Sequence, residues 1–106
     1  MNGIQQQLLG VWRSIKIQRG NSYSNSSTHS YTEFAFNNEH KASMNICIEG
    51  NRTENKNDLE WEVLRRSNGT IFLLLGNQQY EISFENNGNL ILTGTITVFI
   101  LQKVSS

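Results

Sequence analysis

Short runs of β-branched and aromatic residues recur along this chain at near-even spacing, each closed by a cluster of Asn, Gly, Ser or Asp, and Pro is absent. That rhythm is the pattern of an antiparallel sandwich or barrel. It predicts about eight strands, over residues 11–18, 31–36, 42–48, 59–65, 70–75, 79–85, 90–93 and 95–103. Helical periodicity survives only as a short N-terminal turn, at residues 4–9. The connections at 37–40, 66–69 and 86–89 are short enough to join neighbours as hairpins, and their Asn and Gly residues tolerate the left-handed backbone of tight turns. A simple up-and-down order follows. Only 19–30 and 49–58 are long, and both are polar. No repeat, linker or second domain interrupts residues 1–106, which read as a single domain.

Alternation assigns faces. Trp61 and Val63 oppose Glu60 and Glu62, and Tyr80, Ile82 and Phe84 oppose Glu81, Ser83 and Glu85, so these strands have one dry and one wet side. Met44, Ile46 and Ile48 point together, away from Asn45 and Cys47; Phe34 pairs with Phe36, Leu90 with Leu92, and Phe99 with Leu101. Two strands break the rule. Residues 71–75 are apolar on both faces and 96–101 nearly so, which points to an outward contact such as a homodimer interface, a covering N-terminal turn, or a strand mis-bounded by its pattern. Trp12 is in phase with Ser14 and Lys16 but out of phase with Ile15 and Ile17, and a bend or bulge after Trp12 reconciles them.

Charge and cysteine narrow the function classes. Nine Lys+Arg balance nine Asp+Glu along the chain, so there is no electrostatic footprint for nucleic acid or an anionic membrane. Cys47 is the only cysteine, which excludes an intrachain disulfide and a multi-cysteine metal site; within Asn45-Ile46-Cys47-Ile48 it reads as a small hydrophobe. The start, Met1-Asn2-Gly3-Ile4, has no basic segment followed by an apolar core, and no stretch approaches the roughly 18 apolar residues of a membrane span. The chain therefore reads as soluble, periplasmic or secreted if a leader has been removed and cytoplasmic otherwise.

Leu8-Leu9-Gly10-Val11-Trp12 at the head, Tyr31-Thr32-Glu33-Phe34-Ala35-Phe36 as the second strand and Phe99-Ile100-Leu101-Gln102-Lys103 at the close resemble the small bacterial lipocalin-like proteins over nearly the whole length. The resemblance implies an all-β fold, an up-and-down antiparallel β-barrel whose Gly10-x-Trp12 motif closes one end with an indole plug. It implies further that a basic side chain packs across that Trp, for which Lys103 is the one basic residue of the last strand. Departures are plain: the chain is shorter than a full lipocalin and lacks its flanking helix and further motifs. In such a barrel connections alternate between rims, so 19–30 and 49–58 meet at an open mouth as a flexible lid.

Candidate chemistry is sparse. His29 and His40 have no partner at metal-ligand spacing, no cofactor is called for, and Glu33, Glu60, Glu62, Glu81 and Glu85 read as the wet faces of strands rather than an acid–base pair. No nucleophile elbow or phosphate loop is present, so an enzyme is the weakest of three readings. The aromatics are the remaining signal. Phe34, Phe36, Trp61, Phe72, Tyr80, Phe84 and Phe99, with Met44, either line a cavity for an apolar ligand or fill it, and Tyr23, His29, Tyr31 and Arg52 are placed near the mouth, where they either anchor a polar head group or are ordinary solvated loop residues. The leading expectation is a carrier of a small hydrophobic molecule. The alternative is a protein-interaction or inhibitory module acting through the mouth loops or the doubly apolar strands.

Overall fold

A computed structural model describes residues 3–105. A helix α1 (Gly3–Leu8) is followed by β1 (Gly10–Arg19), β2 (Ser22–Asn25), β3 (Tyr31–Phe36), β4 (Lys41–Ile48) and β5 (Asn51–Arg65). Then come β6 (Ile71–Leu75), β7 (Gln78–Phe84), β8 (Leu90–Thr93) and β9 (Thr97–Ser105). All pairings are antiparallel, each strand from β3 onward follows its sequence neighbour, and β9 returns to β1. The result is a closed barrel of eight strands with β2 as an extra one, and closure leaves most of the sheet without the exposed edge that invites aggregation.

α1 seals one end. Gly10 joins helix to strand at φ 118°, a left-handed value that a residue with a Cβ adopts at a cost. The turn directs Trp12 into the interior, where it is 2% exposed, with its indole Nε1 donating to the Leu8 carbonyl at 3.0 Å. Lys103 reaches over the same ring, Nζ 5.2 Å from its centroid, and donates to the Gln7 carbonyl at 3.1 Å. Both bonds satisfy carbonyls at the end of α1 that have no donor within the helix.

The phase conflict in β1 resolves as a bulge. Its register with β9 slips between Ser14 and Lys16, so Trp12 and Ser14 face inward before it and Ile17 stands opposite Phe99 after it. The doubly apolar strands resolve by register too. Leu73 and Leu75 face inward opposite Val63 and Trp61, while Phe99 and Leu101 oppose Leu92 and Leu90. Ile96 stands in a turn, largely exposed, rather than in the last strand.

Two expectations about the long segments are corrected. Residues 49–58 are not a loop: Glu49 (φ 52°) and Gly50 (φ 83°) make a two-residue turn between Ile48 and Asn51, and β5 then runs fifteen residues. Residues 51–58 carry no apolar side chain, so hydrophobic periodicity is silent there, and the strand forms through its backbone ladder with β4. Within 19–30, Gly20-Asn21 turns β1 back on itself and Ser22–Asn25 becomes β2. The two segments are therefore hairpins, one of them short.

Candidate functional site

β1 changes partners part-way along. Its first residues, Gly10 to Arg13, pair with β3, and its last, Lys16 to Arg19, pair with β2. Between the two partners residues 26–30 turn outward. The Ser26 amide donates to the Ile15 carbonyl at 2.9 Å, the Ser14 and Ser26 hydroxyls meet at 2.7 Å, and Ser27 Oγ accepts the amides of His29 (3.2 Å) and Ser30 (3.0 Å) in a Ser-type turn.

The excursion ends on the β4–β5 turn. Gly50 donates its amide to the His29 carbonyl at 2.8 Å and Glu49 donates to Ser30 Oγ at 3.0 Å. These bonds bring both polar segments to one end of the barrel, as their alternation around the rims predicts. They also hold β2 apart from the upper half of β4, and the gap is a hollow of about 410 Å³.

Ile17, Thr32 and Ile46 line its floor and Ile48 its side, while Ser22, Ser24 and Asn25 of β2 supply polar groups to the rim. Tyr23 and Tyr31 also border it, and Arg19 is the one charged residue among the lining. Lys16 Nζ sits 4.2 Å from the Tyr23 centroid, and the Arg13 guanidinium lies 4.4 Å from that of Tyr31 while bonding Glu33 at 2.7 Å. The tyrosines are thereby held by cation–π contact. The neighbouring Cys47 thiol, followed by burial, raises the pKa of the Tyr31 phenol above the ordinary tyrosine value. The Glu33 hydrogen bond raises that of Arg13.

A second hollow of about 440 Å³ lies between the turn after β3 and that after β6. Its lining is charged (Glu39, Lys41, Glu60, Glu62), and Lys41 and Glu60 pair at 3.6 Å. The first differs in its apolar floor and in the Arg19 guanidinium, which makes no hydrogen bond or ion pair among the described residues.

The aromatics proposed as cavity lining are placed otherwise. Phe34 packs edge-on to Phe99 (5.2 Å between centroids) and parallel to Phe36 (6.4 Å), Phe36 meets Trp61 (5.3 Å), and Tyr80 meets Phe99 (6.0 Å). Phe84 lies 6.4 Å from Trp12, and Met44 stands opposite Phe34 and packs against the core. These side chains occupy the interior with one another, since an eight-stranded barrel is little wider than its own side chains. Phe72 is corrected outright. Leu73 and Leu75 take the inward phase, which leaves Phe72 on the outer face beneath the Arg66 guanidinium at 4.5 Å.

Of the mouth residues, Tyr23 and Tyr31 border the hollow, whereas His29 and Arg52 are exposed and outside its lining. The residues missed include Ile17, Arg19, Ser22, Ser24, Thr32, Ile46 and Ile48. The signal that could have found them is the Gly20-Asn21 dipeptide, a hairpin turn that would have put Ser22 to Asn25 beside β1.

No family model, curated protein or solved structure matches the chain. Among the described residues no helix is long and apolar enough to cross a membrane, and no three His, Cys, Asp or Glu side chains gather as a metal-binding group. The site itself offers an apolar floor, hydroxyl and amide hydrogen-bonding groups, and one guanidinium.

Proposed function

We propose that this protein is a lipocalin-like carrier that binds a small, largely apolar molecule with its polar head at the mouth, in the hollow between β2 and β4. The observation that carries the reading is the juxtaposition of Ile17, Ile46 and Ile48 with Ser22, Ser24 and Arg19 around one space of about 410 Å³. Its size is within the range of about 300 to 1,000 Å³ common to small-molecule sites, and a few polar groups beside an apolar surface are what fix a ligand's orientation. Arg19 favours a head group that accepts hydrogen bonds, a carboxylate or a hydroxyl.

The test is titration with a panel of fatty acids, retinoids and an environment-sensitive dye. Binding at micromolar concentration is expected, with loss in an Ile46→Trp variant, whose indole occupies the hollow. Cys47 is the single thiol of the chain and borders the same space, so a bound ligand should slow its reaction with a thiol reagent. If no panel member displaces the dye or protects Cys47, the carrier reading is lost.

A protein-interaction role has one observation of its own. Leu64, 44% exposed, stands beside Phe72 on the outer face, with Leu74 on the same face of β6. A Leu64→Lys change should leave ligand binding intact and abolish capture by a protein partner.

A further inference from the structure

β6 pairs with β5 only from Trp61 to Arg65, while β4 pairs with it from Asn51 to Glu60. Among the described residues, 51–59 therefore have a strand on one side and none on the other. All of residues 51–58 are exposed. A long one-sided strand is a template for another chain, and proteins usually blunt such edges with charge.

Here the charges follow an order that repels an indifferent strand and fits one particular partner. Arg52, Glu54, Lys56 and Asp58 alternate in sign at every second residue. If a second copy is laid antiparallel across a two-fold axis at Asn55, Arg52 stands opposite Asp58 and Glu54 opposite Lys56, and each pair occurs twice. In the isolated chain Lys56 and Glu54 contact each other at 3.7 Å on one face of the strand, so a partner strand extends an existing pair into a row of four charges. The register of β5 with β4 slips at Thr53 and again across Asn57 and Asp58, so the irregularities flank Asn55 and leave Glu54, Asn55 and Lys56 regularly paired between them.

We infer that the protein self-associates through the free edge of β5, two copies pairing antiparallel about Asn55 with their charges complementary. The contact is isologous, as a two-fold dimer requires, and joins two barrels edge to edge. It is one strand wide. The affinity is accordingly modest, on the order of 100 µM, as for interfaces below about 1,200 Å², and it weakens with salt, because the pairs that select it are exposed.

Sedimentation equilibrium of the full chain over concentrations from micromolar to millimolar reads the association directly. Glu54→Lys places Lys opposite Lys twice, and Lys56→Glu places Glu opposite Glu twice; each should weaken dimerisation on the order of tenfold or more. An equimolar mixture of the two variants pairs Lys with Glu at every position and should recover a heterodimer. The double change E54K/K56E restores complementarity within one chain and should dimerise as the parent does. A parent chain that stays monomeric to millimolar concentration, single variants that associate undiminished, or a mixture that fails to recover would each overturn the inference. Ligand binding in the hollow is read separately, so the two proposals fail independently.

Discussion

Ser14 accepts the backbone amide of Thr32 on its side-chain oxygen at 2.9 Å, across the point where β1 gives up β3 for β2. Both residues are buried, and the pairing of β1 with β3 ends at Arg13 and Glu33, so no residue of β1 stands opposite Thr32 in the ladder. The hydroxyl thus stands in for a missing ladder bond and permits the sheet to split, which is the condition for the hollow.

Ser14→Ala strands the Thr32 amide in a buried site. A loss of about 1 to 3 kcal/mol in urea denaturation is expected, the cost of an unsatisfied buried donor. Ser26→Ala, which leaves that bond in place, should cost less than half as much. Equal losses would show that the Thr32 bond is not the controlling one.

The plug at the opposite end is a joint device of Trp12, Lys103 and α1. Trp12→Ala should destabilise by about 3 to 5 kcal/mol, as for a large core aromatic. Lys103→Met keeps the aliphatic stem and removes the charge over the ring and the bond to Gln7, for an expected loss of about 0.5 to 1 kcal/mol. A Trp12→Ala loss below about 1 kcal/mol would mean the indole does not stopper the barrel.

Gly94 precedes β9 and passes against the Tyr80 ring. A Cβ there would sit 3.1 Å from Tyr80 Cε1 and 3.2 Å from the Thr97 carbonyl oxygen, closer than side chains ordinarily pack. Gly94→Ala should therefore cost about 1 to 3 kcal/mol through overpacking, and the additional Tyr80→Leu change should relieve part of it. Thermal melts of the single and double variants measure both.

Burial raises the pKa of the Tyr80 phenol above its ordinary value. The folded chain then holds this proton where the unfolded chain has lost it, so the phenol's contribution is complete below about pH 10 and declines as pH rises through the raised value. Stability in urea at neutral and strongly alkaline pH should fall more steeply for the parent than for Tyr80→Phe. Matching profiles would place the alkaline sensitivity elsewhere.

Where side chains alternate, the fold was legible. Tyr31-Thr32-Glu33-Phe34-Ala35-Phe36 bounds β3 to the residue, and Leu90 to Thr93 bounds β8, because a half-buried strand writes its period into its own residues. The bulge in β1 was readable from the clash of phase between Trp12 and Ile17. Illegible were β2 and the first half of β5, whose polar residues are drawn into strands by backbone pairing with chains already in place, a choice local pattern does not record. The phase of β6 was undetermined for the opposite reason: Phe72 and Leu73 are equally apolar, and only the register against Val63 decided which went inside.

By itself, then, the order of residues determined an antiparallel array of strands joined largely by hairpins, a sandwich or a barrel, since hydrophobic period and turn chemistry are local properties; closure, with Trp12 at the base and both polar segments at one rim, was what the resemblance implied. Tertiary structure alone decided where the space lies. The large aromatics met one another across the barrel and consumed its interior, and the hollow opened instead beside Ile17 and Ile46, where β1 exchanges one partner for another. That outcome depends on which strands pair and where they part, a relation among distant segments that hydrogen-bond satisfaction and close packing settle only once the chain is folded.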